Sequence, residues 1–210
     1  NDPTQWKHNL EFKLPAATRV HQKKNHPSMP YEQIPEFIEG INQLETIPAL
    51  FVHFTVLTGI RNGTVRKAEW RDFDFRNSVW NIPETKNGRP FSVPLTDQML
   101  NVLNRLAAIR EKDFVFYQER DPLKPVSENC GTSHLKKVWA LEGVTMHGFR
   151  STLSTYLNQQ EGLDPRIIDA CIEHRMGSEI ELAYNRSEWI NKRRAYMKVW
   201  NDFCWSELHG

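Results

Sequence analysis

The sequence predicts a mainly α-helical domain carrying a small antiparallel β-sheet, an α+β fold, and three observations carry that prediction. Apolar residues recur at three- and four-residue intervals through several segments, the spacing of a buried helix face. Between residues 79 and 95 the period changes, with β-rich runs on either side of an Asn87-Gly88 pair, the pattern of a hairpin. Proline, glycine and threonine punctuate the borders between these segments.

In chain order, residues 1–30 are polar, proline-punctuated and basic without sustained periodicity, and read as an interdomain linker. Compact structure is expected over residues 31–210. Ile34, Phe37, Ile38 and Ile41 follow helical spacing, with Pro35 acceptable in a first turn and Pro48 expected to end the helix. Leu50, Phe51, Phe54 and Leu57 predict a second, buried helix that delivers Arg61 at its far end. The runs Val79-Trp80-Asn81-Ile82 and Phe91-Ser92-Val93 predict paired strands, which would put Lys86 on the turn between them. Thr96 is a candidate cap for a helix with Met99, Leu103 and Leu106 facing inward, and Leu135, Val138 and Trp139 suit another before Gly143. His147 and Arg150, three apart, would share a helix face. Asp164-Pro165 is a helix start, and Ile167, Ile168 and Cys171 lead to His174. Ser187 is a candidate cap for a last helix, in which Trp189, Tyr196, Met197, Trp200 and Phe203 form an apolar stripe beside basic Lys192, Arg193, Arg194 and Lys198.

The chain of 210 residues is long enough for one sizeable core, and its net charge of +1 does not point to nucleic acid. Distribution says more. Residues 1–26 hold five Lys or Arg against two acidic residues, so the remaining body carries a net charge of −2 and must place positive charge locally to meet a phosphate backbone. Cys130, Cys171 and Cys204 have no paired spacing, which argues against a zinc cluster or disulfide framework and fits a reducing cytoplasm. No apolar stretch approaches 18 residues and no leading signal pattern is present, so neither membrane insertion nor secretion is expected.

Six residues stand out for their chemistry: Arg61 in Thr58-Gly59-Ile60-Arg61, Lys86, His147 and Arg150 in His147-Gly148-Phe149-Arg150, His174, and Tyr184 in Ala183-Tyr184-Asn185-Arg186. A phenol with a pKa near 10 is a weak nucleophile at neutral pH and needs assistance. Two arginines supply it by holding the non-bridging oxygens of a phosphate as charge grows during attack. A lysine near the departing oxygen is a candidate general acid, and histidines can accept or donate protons. Together these residues read as a site that cleaves phosphodiesters. Arg66-Lys67, Arg71, Lys136-Lys137 and Arg175 are candidates for tracking a DNA backbone, although a solvated helix face has the same appearance.

The same motifs, with Trp70-Arg71-Asp72-Phe73-Asp74, Val79-Trp80-Asn81-Ile82-Pro83 and Val93-Pro94-Leu95, resemble the tyrosine recombinases, or phage-type integrases, of temperate phages and genomic islands, over about residues 31–200. The resemblance implies the tyrosine recombinase catalytic-domain fold and site-specific recombination, in the integration or excision of a mobile element. Tyr184 would attack a scissile phosphate, leaving a 3′-phosphotyrosyl bond and a free 5′-hydroxyl, and a partner strand's 5′-hydroxyl would then rejoin it. Arg61 and Arg150 would clamp the phosphate, Lys86 would protonate the leaving oxygen, and His147 and His174 would assist. No metal or other cofactor is implied. The implied partners are double-stranded DNA attachment sites and further copies of the chain, a monomer when free and a tetramer on synapsed DNA. Accessory DNA-bending or excision factors, a bacterial cytoplasm and no membrane complete the expectation.

Two positions depart from the family's pattern: Thr64 stands where glutamate is common, and Glu173 where a small residue usually precedes the second histidine. The core-binding and arm-binding domains expected ahead of a catalytic domain are absent from these 210 residues. The competing readings are a DNA-binding or assembly module of the same ancestry that has lost cleavage and, ranked lower, a type IB topoisomerase.

Overall fold

The computed structural model describes residues 27–86, 88–173 and 186–209. Helix α1 (Ile34–Asn42) follows a short 3-10 turn at Tyr31–Gln33 and buries Ile34, Phe37, Ile38 and Ile41. Helix α2 (Ile47–Thr58) is buried at every position but Pro48, the signature of a helix surrounded on all sides. Pro48 therefore opens α2 instead of closing α1: a missing N–H and fixed φ cost nothing in a first turn, where no backbone bond is due. Around α2 pack α1, α4 (Asp97–Ala108), α5 (Cys130–Trp139), α6 (Gly148–Asn158) and α8 (Arg186–Cys204).

The three-stranded sheet runs in the order β1 (Phe73–Asp74), β2 (Val79–Ile82), β3 (Phe91–Pro94), antiparallel throughout. Phe73 faces Trp80 in register, and their rings stack 5.4 Å apart. Pairing of β2 with β3 stops at Ile82 opposite Phe91, so residues 83–90 form a longer connection than a two-residue hairpin turn. Within it, Gly88 N–H donates to Thr85 O at 2.9 Å and Thr85 N–H to Arg89 O at 3.0 Å. Gly88 has φ +70, a left-handed conformation that glycine adopts without strain. A second hairpin, β4 (Tyr117–Gln118) with β5 (Asp121–Pro125), carries no glycine or asparagine in its Glu119-Arg120 turn and gives no signal in the sequence.

The helix starts at Thr96 and Asp164 form as expected: Thr96 Oγ1 accepts from Met99 N–H and Asp164 Oδ1 from Arg166 N–H, each satisfying an orphan amide. Ser187 lies inside α8 and not ahead of it, because the helix already includes Arg186. Val138 is exposed on α5, whose inward side is carried by Leu135 and His134. Pro27–Met29 lie against the start of α6. Pro27 O accepts from Thr145 N–H and Met29 O from Thr152 Oγ1, and a Cβ on Gly148 would come within 2.2 Å of Pro27 O.

The aromatic stripe of α8 packs on the chain's own core. Trp200 and Met197 are buried, Trp200 Nε1 donates to Val56 O at 3.0 Å, and Phe203 stacks on Tyr156 at 4.1 Å. No helix among the described residues is long and apolar enough to cross a membrane.

Candidate active site

Arg61 is set by the way α2 ends. Gly59 takes the left-handed conformation (φ +62) and its N–H closes on Thr55 O at 3.0 Å, which stops the helix and turns the chain. Ile60, fully buried, anchors the turn. Arg61 then caps α3 (Asn62–Val65), a single turn, with its side chain 23% exposed and its Nη1 paired with Glu173 Oε2.

Arg150 arrives from the other side. It stands in the first turn of α6, 3% exposed, and its guanidinium bridges two chain ends: Nη1 donates to Gly59 O at 2.6 Å and Nη2 to Ile172 O, just beyond α7 (Pro165–Cys171). Burial, and then the like charge of Arg61, pull its pKa down to about 10, while Glu173 opposes the shift. The group stays charged at neutral pH. His147 is the N-cap of the same helix, half-buried. The expected shared face therefore divides: His147 opens onto the surface cleft and Arg150 lies behind it.

That cleft, about 850 Å³ in volume, brings Arg61, Lys86 and His147 together from three separate elements. Arg66, Lys67 and Arg71, read from the sequence as backbone-tracking candidates, line it too. Some of that charge is already matched, since Arg66 pairs with Glu128 at 3.8 Å and Arg71 with Glu69 at 3.0 Å. Lys67 and Lys86 are exposed and have no ion-pair partner among the described residues. Lys136 and Lys137 are exposed on α5 and do not line the cleft. His174, Arg175 and Tyr184 lie outside the described residues.

Sequence reasoning misassigned some arginines and missed a partner. Arg193, read as part of a basic face, is buried; it donates to Ser92 O at 2.7 Å and lies over the Phe91 ring at 4.8 Å. Arg194 donates to Ser78 O, Leu95 O and Asn77 O. These bonds join the helix that follows Tyr184 to the sheet that carries Lys86. Glu173, read only as a departure, is the carboxylate on Arg61. Its own residue type was the available signal, a charge among the apolar positions of Cys171-Ile172.

Residues 27–189 match the model of the phage integrase family. Among curated proteins, the chain is 34% identical over 188 residues to prophage integrase IntA of Escherichia coli K12, covering 86% of this chain and 45% of that protein. It is 30% identical over 204 residues to the integrase of Shigella phage Sf6, covering 94% and 52%. The chain thus spans about half the length of the curated relatives it matches. Similar solved structures include XerH recombinase bound to its difH substrate (TM-score 0.59, 17% identity, 80% of this chain and 54% of that one). A lambda integrase dimer bound to a core site is similar as well (TM-score 0.57, 18% identity, 74% and 60%). The fold is the one expected from the sequence, that of tyrosine recombinase catalytic domains.

Proposed function

The chain belongs to the phage integrase family, and from that premise we propose that it is the strand-cutting and strand-joining domain of a site-specific DNA recombinase. The observation that carries the proposal is the meeting of Arg61, Lys86 and His147 on one cleft, with Arg150 fixed behind them by the carbonyl oxygens of Gly59 and Ile172. Arg61 binds a non-bridging oxygen of the scissile phosphate. Arg150 adds its positive potential at close range through a low-dielectric layer, and each of its Nη atoms has a second proton beyond the one given to a carbonyl. Both charges are in place before reaction, so little reorganisation is needed as the phosphorane forms.

Tyr184 gives up its phenol proton to a histidine of the site and attacks phosphorus, the phosphorus–5′-oxygen bond breaks, and Lys86 gives that oxygen its proton. The strand is left as a 3′-phosphotyrosyl ester with a 5′-hydroxyl. Attack by the 5′-hydroxyl of a partner duplex reverses the chemistry and restores Tyr184. His147 and His174 assist phosphate binding and proton transfer. The partners are duplex attachment sites and further copies of the chain, assembled as a tetramer on synapsed DNA in a bacterial cytoplasm. Accessory bending or excision factors and the preceding core- and arm-binding domains act with it in the whole protein. Residues 1–30 serve as the linker to those domains, its last residues, Pro27–Met29, laid against the start of α6.

The test is incubation of the chain, and of Tyr184→Phe, with nicked duplexes from the flanks of its source element. The nick lets the short 5′-hydroxyl fragment diffuse away. A denaturant-resistant protein–DNA adduct that vanishes in the variant supports the proposal. Binding without an adduct, with the preceding domains restored, favours a module that has lost cleavage.

A further inference from the structure

We propose that Glu173 is a positioning residue of this site, the carboxylate that orients Arg61 and balances the paired guanidiniums from behind the cleft. The inference rests on the strand-cutting reading above and assigns to it a residue outside the six picked from sequence.

Three independent features support it. The Glu173 side chain is 4% exposed and its Oε2 meets Arg61 Nη1, so a buried negative charge lies against the guanidinium. A buried carboxylate is retained only where its pairing is good. Glu173 also sits at φ +58, in the left-handed region, directly after α7. A residue with a Cβ is strained there, and the turn is kept in spite of that cost. Finally, Glu173 does not line the cleft, whereas Arg61 does. The carboxylate therefore approaches from the core side and leaves the phosphate face of Arg61 open, acting as a brace and not as an occupant of the phosphate's place.

The electrostatics agree. Arg61 and Arg150 repel each other, and the negative charge of Glu173 opposes that repulsion. Without it, Arg61 is free to swing toward solvent and the buried Arg150 faces an unbalanced neighbour.

Glu173→Gln keeps the shape and removes the charge, while Glu173→Gly removes the side chain and relieves the backbone. Each variant is compared with wild type for single-turnover adduct formation at saturating nicked duplex, for duplex Kd, and for melting temperature. Glu173→Gln and Glu173→Gly should each slow adduct formation by about 10-fold or more, as removal of other outer-shell partners does, with Kd within about twofold. Glu173→Gly gains from relief of the turn and loses the buried ion pair, so its melting temperature serves to show that it folds. A Glu173→Gln protein that cuts at the wild-type rate or faster overturns the inference. Failure of the wild-type protein to form any adduct with the preceding domains restored overturns the strand-cutting reading first, and the positioning role falls with it.

Discussion

Arg150 Nη1 donates to the carbonyl oxygen of Gly59 at 2.6 Å, two residues ahead of Arg61, so the two guanidiniums of the site share one stretch of backbone. Arg150 is thus part of the scaffold as well as part of the charge. Arg150→Ala should lower single-turnover adduct formation by about 10²- to 10³-fold. It should also cost about 1–3 kcal/mol in urea unfolding for each carbonyl left buried without a donor. Arg150→Lys keeps the charge but cannot bridge Gly59 O and Ile172 O together, and should cleave almost as poorly. Near-normal cleavage by either variant would remove Arg150 from the site.

Gly59 has a second duty. At φ +62, a Cβ there would sit 2.7 Å from Leu153 Cδ1 and 3.0 Å from Ile172 Cγ2. Gly59→Ala combines a left-handed alanine with overpacking and should destabilise the chain by about 1–3 kcal/mol in urea titration. Because Ile172 and the Gly59 carbonyl both bound Arg150, adduct formation should fall more than the lost stability alone explains when measured well below the melting temperature. A variant with wild-type rate would uncouple this turn from the chemistry.

Lys86 lies on an exposed loop and reaches the cleft beside Arg61 and His147. If it protonates the leaving oxygen, Lys86→Ala should slow cleavage by about 10²- to 10⁴-fold, the range for general-acid groups. A substrate with sulfur in place of the departing 5′-oxygen needs little protonation and should recover most of that loss. Equal defects on oxygen and sulfur substrates would make Lys86 a binding residue only.

His53 links fold stability to pH. It lies on α2, fully buried, where burial first and the Arg105 guanidinium second hold its imidazole down to about 3. In the unfolded chain the same group protonates near 6.5. Acid therefore favours the unfolded chain: stability is full above about pH 6.5 and drains away as pH falls toward 3. From this group alone the loss at pH 5 is about 2 kcal/mol. His53→Gln keeps an acceptor for Trp205 Nε1, which lies 3.3 Å from His53 Nε2, and should flatten the dependence. Parallel urea titrations at pH 7 and pH 5 give the comparison, and equal slopes for the two proteins would contradict it.

Much of the helical frame was legible because it rests on short-range patterns. The 3.6-residue period marked α1 and α2, Thr96 and Asp164 marked helix starts, and the change of period marked β2 and β3. The convergence of Arg61, Lys86 and His147 followed only from their joint chemistry, since no local pattern brings residues 61, 86 and 147 together. What escaped was set by distant contacts. Arg193 and Arg194 look solvated in sequence because their carbonyl partners, on Ser92 and on Asn77, Ser78 and Leu95, are about a hundred residues away. Pro48 was ambiguous because proline serves equally after one helix and at the start of the next. Thr64 and Glu173 read as two separate departures, and the ion pair of Glu173 with Arg61 was not legible because the two residues lie 112 apart in the chain.

The most direct test of the account is to identify the atom joined to DNA. The adduct formed on a nicked duplex is digested with trypsin and nuclease, and the nucleotide-bearing peptide is sequenced by mass spectrometry. The account predicts a 3′-phosphonucleotide on Tyr184, within the tryptic peptide that ends at Arg186. A nucleotide on any other residue, or attachment through a 5′-phosphate, would contradict it.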